Sequence, residues 1–302
     1  MGLIDFGYRS FSGERTGVAL RIRAIVSQQI RRFFGKKLTL LFYIGCLFPA
    51  IIALVFVYIR FVVIEGQGEL AGLRNLRGLS HRNPNTLFGR SLEEISFYFT
   101  PYLTYAMPIA VMFSAIVGAS TIPNDRNDGA LELYFTRGIR PFHYFFGKWI
   151  GIFFLHLCLI LIPYLLVWII GVFLAPDWGF LQNTAPFIPR FILAQSLFCG
   201  GLSFLVLAQS VSTSSSRFSV MRVVGGLFVF WVLARMLRRF FHENNFLVLS
   251  PWNVLKRVAE GIADVQASHT FDLQVAIIGL FVLSLLGSLW IFKHLKATKA
   301  VG

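Results

Sequence analysis

Long apolar runs bounded by charged residues set the pattern of this chain. A helix needs about 20 residues to cross the roughly 30 Å hydrocarbon core of a bilayer, and six runs come to about that length. The pattern therefore predicts six transmembrane helices. They lie at residues 38–63, about 97–122, about 149–174, 188–210, about 218–237 and 273–292.

The fifth run is the weakest, because Arg222 and Arg235 leave only twelve uncharged residues between them. Long arginine side chains near the ends of a span can reach the head groups while their stems stay in the apolar phase. We keep this run as a span on that basis, since omitting it would leave an odd number of crossings.

Positive charges between the spans predict the orientation. If the N-terminus is cytoplasmic, 17 of the 28 Lys and Arg residues fall on the inside, as the positive-inside rule expects. We therefore predict that both termini are cytoplasmic, with an N-terminal segment at 1–37 and a tail at 293–302. Five basic residues on the outer side dilute the bias, namely Arg235, Arg238, Arg239, Lys256 and Arg257.

Residues 17–37 show helical periodicity ahead of the first span. Apolar residues recur on one side and basic or amide residues fall largely on the other, which predicts an amphipathic helix lying in the membrane interface. A basic tail that only enforces the orientation is the alternative. Because the first apolar run starts only at residue 38, we expect that span, not a cleaved signal peptide, to direct insertion.

Composition agrees with the apolar pattern. Hydrophobic residues make up 56% of the chain, mean hydropathy is +0.68, and only 14% of residues are charged, against roughly 25% in soluble domains. The fold class is therefore an all-α integral membrane protein. The net charge of +14 fits orientation and contact with anionic lipids, and no nucleic-acid partner is expected. The three cysteines all lie in predicted spans and are expected to be buried apolar residues, without metal or disulfide.

Charged residues are missing from the centres of the predicted spans. His156 is the one titratable group well inside a span, where it is either a possible intramembrane polar site or a neutral histidine hydrogen-bonded to a neighbouring helix. A carrier driven by protons or sodium usually has carboxylates or broken helices at the midplane. The spans therefore show no obvious ion-coupling site.

A nucleotide site is not expected in this chain either. The stretch GIRPFHYFFGK at residues 138–148 ends in Gly-Lys, but its glycine spacing differs from a phosphate loop and Trp149 stands where Ser or Thr must bind magnesium. No catalytic, cofactor-binding or metal-binding residue is therefore predicted, and the chain is not expected to be an enzyme.

Residues 124–148, NDRNDGALELYFTRGIRPFHYFFGK, form a polar segment between the second and third spans. The Asn and Asp residues at 124–128 are typical helix N-caps, and a short helix from about 129 to 135 would carry Leu131, Leu133, Tyr134 and Phe135. Such a helix suits a groove on another protein. Packing under its own bundle is the alternative.

This segment also resembles a known family. The pattern D-x-x-x-G-x-L-E-L, beginning at Asp125, is followed by a set of basic and small residues that lead into an apolar span. Together they resemble the type 2 ABC-transporter permeases, in the NosY-like and antibiotic-exporter branches. The members of that set are Arg137, Ile139, Arg140, Tyr144, Gly147 and Lys148.

The resemblance implies that residues 123–148 form a cytoplasmic coupling segment that docks into a separate ATPase subunit. The implied coupling positions are Asp125, Asp128, Gly129, Leu131 and Glu132, with Arg137, Arg140 and Lys148 anchoring the far end. It further implies an exporter in a bacterial inner membrane, with two ATPase copies that carry ATP and Mg, and a second permease that is an identical copy or a sister chain.

Outer loops are predicted at about 64–96, 175–187 and 240–272. The first is long for this family and either contacts an accessory protein or is a solvated insertion. In the last, residues after Pro251 predict a helix that either caps the translocation path or lies on the membrane surface. A secondary carrier or channel and a non-transporting assembly scaffold are the rival functions, and the sequence leaves the substrate open.

Overall fold

A computed structural model describes residues 17–35, 37–59, 61, 107–136, 139–265 and 271–297. Within these ranges the regular structure is helical, without a strand. Outside the described residues lie the predicted 64–96 loop between the first two predicted spans, Arg137, and the last five residues of the tail.

Twelve α-helices and two short 3₁₀-helices, at Ala185–Phe187 and Asn244–Leu249, make up the described residues. The α-helices are α1 (Val18–Phe34), α2 (Lys37–Cys46), α3 (Phe48–Tyr58), α4 (Met107–Val117), α5 (Thr121–Asn127), α6 (Ala130–Thr136), α7 (Pro141–Leu174), α8 (Gly179–Thr184), α9 (Ile188–Ser210), α10 (Ser216–Phe241), α11 (Pro251–Ala263) and α12 (Leu273–Ala297).

Four stretches of the described chain are long and apolar enough to cross a membrane. They are α7, the stretch 179–210 that ends with α9, α10, and residues 273–294 of α12. These match the third to sixth predicted spans, including the fifth despite its two arginines. The first predicted span is represented by α2 and α3, and the second by α4 alone.

The two helices of the first predicted span meet at Leu47, where Pro49 lies in the first turn of α3. Proline has no backbone N–H to donate, so a first helical turn accommodates it while a helix interior does not. The chain therefore starts a new helix at this point.

Helix α7 begins eight residues before the predicted start of the third span and ends with it, at Leu174. Its 34 residues extend about 51 Å at 1.5 Å per residue, well beyond the roughly 30 Å of hydrocarbon. Arg140 is in an extended conformation before it and Pro141 occupies its first turn, a favourable helix start. The last part of the polar segment is thus the first two turns of this helix.

Helix α1 lies within the predicted range of residues 17–37 and packs along α7. Ile25, Gln29 and Phe33 are its buried residues, and two glycines of α7 allow the close approach. A Cβ atom on Gly147 would lie 3.1 Å from Ile25, and one on Gly151 would lie 3.1 Å from Gln29. Part of the apolar face of α1 is therefore buried against α7, while Val18 and Phe34 are exposed.

The helix predicted after Pro251 is confirmed as α11, and Ser250 caps its start by accepting a hydrogen bond from the Asn253 N–H. Nine of its thirteen residues are buried, and it packs on α9, where a Cβ on Gly201 would lie 2.3 Å from Leu255. The Trp252 ring packs edge-on against Phe198, 5.6 Å between centroids. The helix is therefore packed on the bundle over most of its length.

Candidate functional site

The polar segment folds as two short helices, α5 and α6, joined at Asp128 and Gly129. We had expected residues 124–128 to cap a single helix, but Asp125 lies within α5 and Pro123 is buried in its first turn. Proline is tolerated there because the N–H groups of a first turn have no helical partner. Gly129 has φ +66°, a left-handed conformation that glycine adopts without strain.

Helix α6 has two different faces. Leu131 is buried, and Tyr134 and Phe135 pack beside the Tyr144 ring of α7 at centroid distances of 5.4 and 6.1 Å. On the opposite face, Glu132 and Leu133 are exposed. The helix thus packs under its own bundle on one side and offers a mixed apolar and acidic surface on the other.

The Asp125 carboxylate joins three helices. Its side chain is only 2% exposed, and it accepts hydrogen bonds from the Tyr144 hydroxyl at 2.8 Å and from Arg32 Nη1 of α1 at 2.9 Å. Lys148 Nζ of α7 lies 2.6 Å from the same carboxylate. We refer to Asp125, Arg32, Tyr144 and Lys148 as the Asp125 cluster.

A second acidic residue extends the cluster to the surface. The other arm of Arg32, Nη2, donates to Asp128 Oδ2 at 2.6 Å, so one guanidinium holds both ends of the α5 to α6 connection. The two carboxylates balance the charges of Arg32 and Lys148. Balanced pairing matters because an unpaired buried charge loses hydration that nothing replaces.

Tyr134 lies at the edge of the Asp125 cluster, and its hydroxyl donates to Gln28 of α1. Burial raises the pKa of Tyr134 above its ordinary value of 10.0, and the nearby negative charge of Asp125 raises it further. The hydroxyl therefore stays a neutral donor at physiological pH. It gives α6 its own link to α1.

Arg126 ties α5 to the turn between α9 and α10. Its guanidinium donates to the Thr213 carbonyl at 3.1 Å and to the Val211 carbonyl at 2.9 Å. Ser216, the first residue of α10, donates to the Asn124 side chain. The two-helix segment is therefore attached to α1, to α7 and to the start of α10.

The structure separates the predicted coupling residues into two groups. Asp125, Asp128 and Lys148 come together in or beside the Asp125 cluster, while Glu132 and Arg140 are exposed and apart from it. Leu131 is core, Gly129 is the turn, and Arg137 lies outside the described residues.

Arg32 and Arg126 were not predicted as site residues. Arg32 lies 93 positions from its partner Asp125, and no local spacing connects them. The available signal was chemical, since an aspartate close to a membrane span needs a cation, and Arg32 is on the polar side of the predicted α1 helix.

His156 lies fully buried between three helices. Its Nδ1 is hydrogen-bonded to Ser203 Oγ of α9 at 2.8 Å, and its Nε2 to Ser114 Oγ of α4. This geometry fits the interpretation of a histidine hydrogen-bonded to neighbouring helices. Among the described residues, no three His, Cys, Asp or Glu side chains gather as metal ligands.

These features define a class of protein. It is a helical membrane protein in which a short polar two-helix segment is bonded to α1 and to α7, the longest described span. Residues 77–292 match the family described as ABC-2 family transporter protein. The chain belongs to this family, and it is a permease subunit of an ABC transporter, a class that works with an ABC ATPase. A search of curated proteins gives no match.

Proposed function

We propose that this chain is the transmembrane permease subunit of an ATP-driven exporter, that it forms half of the translocation path, and that its ATPase docks onto residues 124–148. The observation that carries the proposal is the Asp125 cluster. It joins α5 to α1 and α7 through paired charges, of which Asp125 and Lys148 are buried, so a force on the outer face of α6 would reach a membrane span.

The docking surface in this proposal is the outward face of α6. Glu132 is exposed and Leu133 is 60% exposed, and a short helix with one apolar and one charged contact suits a groove on a partner. Asp128, with a side chain 57% exposed, adds a second acidic group beside it.

Transmission from that surface would run through α7. Because α7 is one helix from Pro141 to Leu174, with Pro163 in its interior, movement of its first turns would be carried into the bilayer as far as Pro163, where one helical hydrogen bond is missing. The bundles would then tilt when ATP binding closes the two nucleotide domains. Substrate would leave between two permease halves, with α11 capping the path from outside.

The complete complex in this proposal lies in a bacterial inner membrane, with both termini cytoplasmic and α1 at the interface. It holds two ATPase copies, which bind ATP and Mg, and a second permease that is identical or a sister chain. This chain would bind no nucleotide itself and hydrolyse none. The 64–96 loop would be the contact for an accessory protein, if the exporter uses one.

The test exchanges charge on the docking face. Glu132→Lys and Leu133→Ala should each reduce co-purification of the partner ATPase at least tenfold, because interface anchors carry most of a binding energy. Glu243→Lys is the matched control, since Glu243 is equally exposed but follows the far end of α10. It should leave co-purification unchanged.

Three results would contradict the proposal. Normal ATPase binding by both α6 variants would remove the docking assignment. Substrate transport by the purified chain alone in liposomes, without any ATPase, would instead favour a secondary carrier or channel. ATPase binding without any substrate-stimulated ATP hydrolysis would favour an assembly scaffold.

A further inference from the structure

Three arginines share one face at the end of α10. Arg238 and Arg239 come three and four residues after Arg235, and His242 comes four and three residues after them, which places all four on one side of a helix. Together with Asn244 they line a cleft of about 580 Å³. The cleft is at the opposite end of α10 from Ser216 and the Asp125 cluster, about 39 Å away along 26 residues.

The chain reverses at the cleft and closes one side of it. His242 adopts a left-handed conformation with φ 56°, which ends α10, and the 3₁₀-helix that follows begins at Asn244. Left-handed backbone is uncommon for a residue with a side chain. Here it turns Asn244 back toward the arginines.

Several arginines elsewhere in the described part of the chain have protein partners. Arg32 bonds Asp125 and Asp128, Arg190 lies 3.4 Å from Asp264, and Arg257 donates to the Phe271 carbonyl. Within the described ranges, Arg238 and Arg239 have no such acid or carbonyl, and Arg235 lies over the Trp231 ring at 4.0 Å. The cleft thus gathers positive charge that the described protein does not balance.

Fold stability alone does not account for this grouping. Like charges three or four residues apart on a helix repel, and although basic residues favour the last turn through the helix dipole, Arg235 lies a turn earlier. The predicted 64–96 loop holds four Arg and four Glu, so it supplies no net negative charge. A negative ligand would relieve the repulsion.

Exposed apolar side chains lie at the same end of α10, on the sides of the helix that flank the arginine face. Phe240 is 78% exposed, Met236 63% and Phe241 53%, and the Phe241 ring stacks on Phe246. A cationic cleft beside exposed rings complements a molecule with a charged head and an apolar body. Arginine suits phosphate in particular, because its planar fork donates two parallel hydrogen bonds to the oxygens.

We propose that this cleft binds the phosphate group of an anionic amphiphile whose apolar part lies against the exposed apolar side chains at this end of α10. The location at the outer end of the path, and only that, rests on the proposed function. A resident lipid and an exported cargo would present the same chemistry to the arginines, and the experiment separates them.

Binding is measured first on the purified chain, without ATPase. Short-chain phosphatidylglycerol should bind, whereas short-chain phosphatidylcholine and inorganic phosphate should bind at least tenfold more weakly. The double variant Arg238→Gln/Arg239→Gln should lose affinity for phosphatidylglycerol by about tenfold or more, since charge-assisted hydrogen bonds are among the strongest. Arg238→Lys/Arg239→Lys should retain more affinity than the Gln pair, because it keeps the charge without the fork.

Arg190→Gln is the matched control, since Arg190 is also an exposed arginine but pairs with Asp264; its affinity should stay unchanged. Equal loss in Arg190→Gln, full affinity in the Gln pair, or equal binding of phosphatidylcholine would each overturn the proposal. These readouts do not depend on the ATPase, so they remain decisive if the coupling assignment fails.

Two further measurements distinguish an exported cargo from a resident lipid. If the amphiphile is cargo, phosphatidylglycerol should stimulate ATP hydrolysis by the complete transporter, and the Gln pair should abolish that stimulation. If it is a resident lipid, anionic lipid should co-purify with the wild-type chain and not with the Gln pair. If a correctly folded protein shows neither the stimulation of ATP hydrolysis nor the co-purified lipid, the proposed site is wrong.

Discussion

At the scale of single residues, the Asp125 carboxylate decides how α1, α5 and α7 meet. Three donors from two other helices, α1 and α7, converge on it, and all the partners other than Arg32 are buried. A buried ion pair contributes little compared with an apolar pair, but losing one member is expensive, because the other charge is then stranded.

Asp125→Ala is therefore expected to destabilise the protein by about 3–5 kcal/mol, measured as thermal or denaturant unfolding in detergent. The double variant Asp125→Leu/Lys148→Met removes both charges of the closest pair and should be more stable than the two single variants predict together. Glu132→Ala is the control, since Glu132 is an exposed carboxylate in the same segment.

Strictly additive effects in the double variant would contradict this account, because residues that interact directly must show coupling. A large destabilisation by Glu132→Ala would do so as well. It would mean that the whole segment, and not the buried pair, carries the stability.

At the scale of elements, the contact between α1 and α7 depends on two glycines a turn apart. Substituting Gly147 places a Cβ atom 3.1 Å from Ile25, a tighter contact than most packed carbons make, and the further carbons of a large side chain would push α1 away. The Asp125 cluster would lose Arg32 in the same step, because α1 carries it.

Gly147→Leu is thus expected to raise hydrogen exchange across the α1 amides about tenfold or more, since local opening then requires less free energy. Gly45→Leu is the matched control. Gly45 also lies within a helix, but a Cβ atom there meets nothing within 4 Å. Unchanged exchange in Gly147→Leu would show that α1 is held by other contacts.

The elements also show what could be predicted from the sequence. Apolar runs identify spans because a bilayer excludes charge, and α7, α9, α10 and α12 appear where the runs are. The two-helix fold of residues 121–136 could not be predicted in this way. Its form depends on Arg32 and Arg126, whose partners lie more than 80 positions away.

The helix starts could not be read from charge alone for a related reason. The sequence predicts that the third span starts after Lys148, since an isolated lysine does not enter hydrocarbon. Because Asp125 pairs with it, the helix runs back to Pro141 without interruption. Hydropathy indicates where the chain passes from water into lipid, but a helix need not begin or end at that point.

At the scale of the whole molecule, α10 and α12 cover little of each other or of the bundle. Only 17% and 11% of their most apolar windows are buried. On α10, Gly225 faces open space between the exposed residues Met221 and Phe228. Small residues on such a face allow a second helix to approach closely.

If the proposed permease pair is a homodimer that meets along this face, Gly225→Cys in a background without the native cysteines should cross-link two copies. Ile278→Cys on α12 is the control, since Ile278 is 63% exposed on a different span. Equal cross-linking at both sites would indicate random collision. No cross-link at Gly225→Cys would exclude a homodimer through α10.

The uninterrupted length of α7 has one further consequence. Successive residues of an α-helix are turned by about 100° around its axis, and α7 carries Lys148 near one end and His156 two turns further on. Adding one residue between them would rotate everything beyond it by that angle, taking His156 away from Ser114 and Ser203 while Lys148 stayed with Asp125. The angular phase between these two residues is thus a property that the permease must keep, whatever side chains fill the turns between them.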